Sequence, residues 1–128
     1  MKLRIKGNAL RLRLTQGEIR ALAEHGQVES RTEFPGGTTL VYRLRTNNKS
    51  NEISVTYKDN LIEFTLPAAS AERWCGTDQV TVSAERDVPG GKLQLVLEKD
   101  FACLMPRPGE DESDHFPHPG AGDGPSRC

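Results

Sequence analysis

The residues most able to do chemistry gather near the end of the chain, in FACLMPRPGEDESDHFPHP at positions 101–119. Cys103, Asp111, Asp114, His115 and His118 offer a thiol, carboxylates and imidazoles, the donor types from which a tetrahedral Zn²⁺ site is assembled. Their spacing argues against one. Paired zinc ligands flank a tight turn or share a helix face, whereas the prolines of HFPHP keep the backbone extended and splay the two imidazoles. Cys103 equally suits a small buried apolar position. No metal is therefore favoured and no cofactor is expected; Zn²⁺ or Mg²⁺ stays an alternative, with Cys103, Asp111, Asp114 and His115 as its candidate ligands.

A structural reading of the same stretch fits the charges better. Residues 1–50 carry ten Lys and Arg against four Asp and Glu, residues 51–100 five against nine, and residues 101–128 two against five. The basic first half thus has an internal partner at close range. Glu110, Asp111, Glu112 and Asp114 form an acidic strip able to lie on it. Phe101 and Cys103 would continue the core off the last strand, and Phe116 would pin the strip. Exposed ion pairs contribute about 0–1 kcal/mol each and a buried Phe about 1.5–3 kcal/mol, so Phe116 decides whether the strip docks.

A second set of candidates is basic. Arg11, Arg13, Arg43 and Arg45 stand in alternating segments, and the guanidinium fork suits a phosphoryl group. They are the candidate anion site. The competing reading places them on a solvated sheet face opposite the leucines, and that reading is favoured.

These groups must be positioned by strands. Apolar residues recur with period two in KLRIK, ALRLRL, QVESRTEF, TTLVYRLR, EISVTYK, LIEFTL, QVTVSAER and KLQLVLE, which predicts eight half-buried strands. Gly7 and Asn8 supply a tight hairpin. Two stretches read as helix. TQGEIRALAEHG opens with a capping box, Thr15 and Glu18, sets Ile19, Leu22 and Ala23 on one stripe and stops at Gly26; His25 complements its dipole. PAASAERWCG begins at Pro67 and turns Ala71, Trp74 and Cys75 toward a core.

The halves match as ββαββ, with Asn8 against Asn60 and Pro35 against Pro89. The expected fold is α+β: duplicated ββαββ units forming an antiparallel sheet or barrel of about eight strands with two helices, related by a pseudo-two-fold. One domain spans 1–119, with repeat one at 2–45, repeat two at 52–98 and an ordered extended tail at 99–119; 120–128 is a mobile end. The topology resembles duplicated α+β barrels such as effector-binding domains of bacterial regulators and the triphosphate tunnel enzymes. The Glu-x-Glu-x-Lys pattern of the tunnel enzymes is missing, because the corresponding strand reads MKLRIK.

MKLRIKGNALRLRLT at the start, with EKDFACL and EDESDHFPHP at the end, resembles a small family of uncharacterised bacterial proteins over residues 1–119. The resemblance implies no activity. In that family the ending is usually Phe-Pro-Asn-Pro, so His118 departs from it.

Composition, at 35% apolar and 27% charged, fits a globular protein, and no apolar run reaches the ~20 residues of a membrane span. The N-terminus lacks the apolar stretch of a secretory signal, and three cysteines without C-x-x-C spacing, Cys75, Cys103 and Cys128, read as thiols; both suit the cytoplasm. There is no G-x-S-x-G, H-E-x-x-H or Walker loop, and the two PGG segments fall at matching hairpin turns, not at phosphate cradles. The expected function is a non-enzymatic module binding a small molecule or a protein, on a concave face or at the tail, with nucleic acid disfavoured as a partner. The alternative is an enzyme acting on a phosphorylated small molecule, its arginines clamping the anion and tail carboxylates holding Mg²⁺.

Overall fold

A computed structural model describes residues 1–101 and Phe116. Cys103, Glu110, Asp111, Glu112, Asp114, His115 and His118 lie outside the described residues, so the tail strip and the metal alternative rest on positions it does not describe.

All eight expected strands and both helices form. Their order is β1 (Lys2–Lys6), β2 (Ala9–Leu14), α1 (Gln16–His25), β3 (Gln27–Glu33), β4 (Thr39–Asn47), β5 (Ser54–Lys58), β6 (Leu61–Pro67), α2 (Ala68–Gly76), β7 (Thr81–Val88) and β8 (Gly91–Lys99). The fold is α+β, and each half of the chain runs ββαββ. The strands divide between two four-stranded mixed sheets, β1-β2-β8-β7 and β3-β4-β6-β5, and neither closes into a barrel. Each helix carries the chain from one sheet to the other. The first hairpin of one half therefore joins the second hairpin of the other, and the strands that meet, β2 with β8 and β4 with β6, are parallel.

The two junctions are built alike. The Gln94 amide donates to the Asn8 carbonyl at 2.9 Å, and the Val41 amide to the Asn60 carbonyl at 2.9 Å. Asp59 and Asn60 both adopt positive φ (53° and 63°), the backbone of a two-residue turn whose twist matches the strands it joins. The PGG segments do occupy hairpin turns, between β3 and β4 and between β7 and β8.

The core explains why these elements stay together. Leu12 and Leu97 are neighbours across the first sheet's parallel pair, and Leu44 and Phe64 across the second; all four have no exposed surface. Ile19 and Leu22 from α1 and Ala71 and Trp74 from α2 complete one cluster with them. A buried aliphatic or aromatic side chain contributes about 1.5–3 kcal/mol, so this shared cluster is what holds the two sheets to each other. Trp74 satisfies its one polar atom there, Nε1 donating to the Val80 carbonyl at 2.9 Å.

The helix boundaries follow from the caps. The Glu18 amide donates to Thr15 Oγ1 and the Thr15 amide donates to Glu18 Oε1 at 3.0 Å, so the capping box is complete. Gly26 ends α1 at φ 78°, and a Cβ there would meet Thr46 Oγ1 at 3.3 Å. Two expectations need correction. Ala23 is exposed, because the core stripe of α1 is only Ile19 and Leu22 wide. Pro67 is the N-cap and last residue of β6, its ring preset to φ −55°, and the helix proper starts at Ala68.

Candidate functional site

Among the described residues, three places combine polar groups with a built surface: the outer faces of the sheets, the end of β8, and the cleft between the helices.

On the outer faces, strand alternation turns outward the residues flanking the buried leucines. Arg11 and Arg13 thus lie outside the first sheet and Arg43 and Arg45 outside the second, two pairs on two sheets. Arg13 Nε donates to Glu98 Oε1 at 2.6 Å, and Arg11 approaches the same oxygen at 3.7 Å. Arg43 stands between Glu29, at 2.9 Å, and Glu63, at 3.0 Å, while Arg45 Nε donates to Glu63 at 3.1 Å. The Arg43 hydrogen bond is the main cause holding Glu29 below the usual carboxylate range, and the two carboxylates raise Arg43 in turn. In both sheets the first half of the chain supplies the arginines, and the second half supplies Glu63 and Glu98. This is the self-complementarity that the segmental charge count suggested.

At the end of β8, Lys99 is an inward-facing residue in register with Leu14 and is 7% exposed. Its ammonium donates to the Thr77 carbonyl at 2.7 Å, capping the C-terminal end of α2, where a cation is favoured. Phe116 sits over it, the ring centroid 5.4 Å from Nζ, and the Phe116 amide donates to the Asp100 carbonyl at 2.8 Å. Phe101 meets Phe116 with centroids 5.5 Å apart, and Phe116 packs on the edge of the core. Phe101 and Phe116, both named from the sequence as structural, are thus brought together. Lys99 was missed, although the alternation Leu93, Leu95, Leu97, Lys99 signals a lysine aimed inward.

The cleft runs between the exposed flanks of α1 and α2 and encloses about 390 Å³. Leu22, Ala23 and Gly26 line one wall; Ala71, Glu72 and Cys75 line the other. The lining is mostly small, with Ala23, Gly26 and Ala71 among its residues, so larger side chains at Ala23 or Ala71 would fill part of the space. Burial pushes the Cys75 thiol above its ordinary value, against the opposing pull of nearby Lys99. A protonated thiol is a weak nucleophile. Among the described residues no group of three or more His, Cys, Asp or Glu is placed to hold a metal, and no helix is long and apolar enough to cross a membrane.

These features define an α+β domain of two swapped ββαββ units with an apolar cleft at the helix pair. The chain belongs to a family of unknown function, DUF7009, whose model matches residues 1–120. No curated protein and no solved structure matches it.

Proposed function

We propose that this protein is a non-enzymatic binding module whose small, largely apolar ligand enters the cleft between α1 and α2. The observation that carries the reading is the cleft itself: about 390 Å³ of space, lined by small and apolar side chains with Glu72, Thr46 and the Cys75 thiol as its few polar groups. Ligand sites are usually concavities of about 300–1,000 Å³ with that composition. The enzymatic alternative asks Arg11, Arg13, Arg43 and Arg45 to clamp one anion, and their distribution over two sheets lends it no support.

A thermal-shift screen of small apolar acids, amines and alcohols against the full chain tests the reading. A true ligand raises Tm, slows alkylation of Cys75, and loses both effects in Ala23→Trp, which fills the cleft from an exposed position. A ligand whose effect survives Ala23→Trp sinks the proposal, as does turnover of any compound in the screen.

A further inference from the structure

The outer face of the β1–β2 hairpin carries a concentration of positive charge that the ion pairs described above do not absorb. Lys2, Arg4 and Lys6 on β1 share this face with Arg11 and Arg13 on β2. The strand register places Arg4 directly opposite Arg11, which is opposite Val96, and Lys6 opposite Ala9, which is opposite Gln94. Like charges directly opposite on antiparallel strands repel, so Arg4 beside Arg11 is held at a cost to the hairpin. Arg4 and Lys6 form no ion pair among the described residues. Of the neighbouring carboxylates, Glu98 is one row away, held by Arg13 at 2.6 Å and only approached by Arg11 at 3.7 Å, and Glu85 is one strand beyond Gln94.

The surface here is also concave. Arg4, Lys6, Arg11 and Gln94 surround a depression of about 220 Å³ floored by Ala9 and Val96. Ala9 makes the depression, since its methyl is the smallest side chain in the two rows and leaves room between three cations and an amide. A surface that merely repels other sheet edges needs lysines but no hollow among them. Two arginines lining one small hollow favour a compact, multiply charged anion with planar pairs of oxygens.

We propose that this hollow is a binding site for the phosphoryl group of a small molecule, with Arg4 and Arg11 as bidentate donors, Lys6 as the third cation and the Gln94 amide completing the set. The site is separate from the helical cleft, on the outer face of the first sheet, and it uses only Arg11 of the arginines singled out from sequence.

Titration of the full chain with inorganic pyrophosphate, followed by calorimetry and by backbone amide shifts, tests the assignment. Saturable binding is expected, with shifts centred on residues 4–11 and 94–96. Arg4→Gln, at an exposed edge position, should weaken binding by about tenfold. Ala9→Leu should weaken it at least as much with no change of charge, because it fills the floor. Lys58→Gln removes one positive charge from the outer face of the other sheet and should leave the affinity unchanged. Absence of saturable binding overturns the proposal. So does equal weakening by Lys58→Gln, or full binding by Ala9→Leu, either of which makes the effect a diffuse field of the basic hairpin. A short single-stranded oligonucleotide that binds more tightly than pyrophosphate and ignores Ala9→Leu overturns it in favour of a nucleic-acid surface.

Discussion

On the outer face of the second sheet, Arg43 lies between Glu29 and Glu63, and Arg45 takes the free oxygen of Glu63, so cations and carboxylates alternate across three strands. On the outer face of the first sheet, Arg11 and Arg13 share one carboxylate, Glu98, and among the described residues Arg4 and Lys6 share none. The ends of the sheets differ in the same sense. Thr46 closes the second sheet with its amide donating to the Gly26 carbonyl at 2.9 Å, while the first ends in a buried Lys99 covered by Phe116. Among the described residues, one sheet thus satisfies its cations locally and the other keeps cations without a carboxylate partner. The difference teaches that two halves of like topology can dispose their surface charges differently, because the partners of each arginine are set by register and not by the strand pattern.

The largest expected effect comes from breaking the end of the first sheet. Lys99→Ala removes the hydrogen bond to Thr77 and the contact with Phe116 and should lower unfolding free energy by about 2 kcal/mol. Phe116→Ala should cost about 1–2 kcal/mol, less than a fully buried ring because Phe116 is half-buried. Urea denaturation of the two single variants and the double variant gives their coupling. A coupling near zero would mean that Phe116 does not rest on Lys99. The matching change at the second sheet, Thr46→Val, keeps the backbone bond to Gly26 and should cost under about 1 kcal/mol.

Next in size are the two carboxylates. Glu98→Gln leaves Arg11 and Arg13 without the acid they share, beside Arg4 and Lys6 on the same face, and should cost about 1 kcal/mol, a loss that shrinks as salt screens the repulsion. Glu63→Gln should cost about half of that, since Glu29 still holds Arg43. Equal losses with equal salt dependence would remove the distinction drawn between the faces. A smaller change should have the opposite sign: Arg4→Thr relieves the cross-strand repulsion with Arg11 on an edge strand and should stabilise the protein by about 0.5 kcal/mol, read as a higher urea midpoint. A lower midpoint would show that Arg4 is already compensated.

Much of this fold is legible in residue order, and the illegible part has a definite cause. Alternation locates every strand because each sheet keeps one solvated face, and Thr15, Glu18 and Gly26 mark α1 by chemistry that needs no tertiary partner. The same alternation reads as antiparallel, since parallel sheets normally bury both faces. Here β2, β8, β4 and β6 are parallel pairs with an open outer face, so KLQLVLE and LIEFTL carry no signal of the exchange between halves. The arginines were visible as candidates, but which carboxylates face them depends on register across that exchange. Glu63 and Glu98, the single acids of β6 and β8, were the available hint. The cleft was not visible, because its walls come from two helices more than forty residues apart in the chain that only the assembled fold brings together. Cys75, expected to face the core, packs against its edge and also lines that cleft, half-buried.

The mildest test uses acid. Glu29 is held below its ordinary value chiefly by its hydrogen bond to Arg43, with the charges of Arg43 and Arg31 adding to the pull and partial desolvation opposing it. A carboxylate with a depressed folded-state pKa stabilises the fold at pH values above its unfolded pKa, and that stabilisation is lost as pH falls through the folded value. Stability should therefore decline as pH falls from about 5 toward 3, with Glu29 contributing part of the slope. In Glu29→Gln that part is missing, so the urea midpoint of the variant should lie below that of the parent near neutrality and converge with it in acid. The same substitution at Glu33, on the same strand and without an ion pair among the described residues, should leave the slope unchanged. If Glu29→Gln follows the parent's pH dependence throughout, the Arg43 bridge adds nothing to the fold in solution, and the second sheet would no more satisfy its own charges than the first.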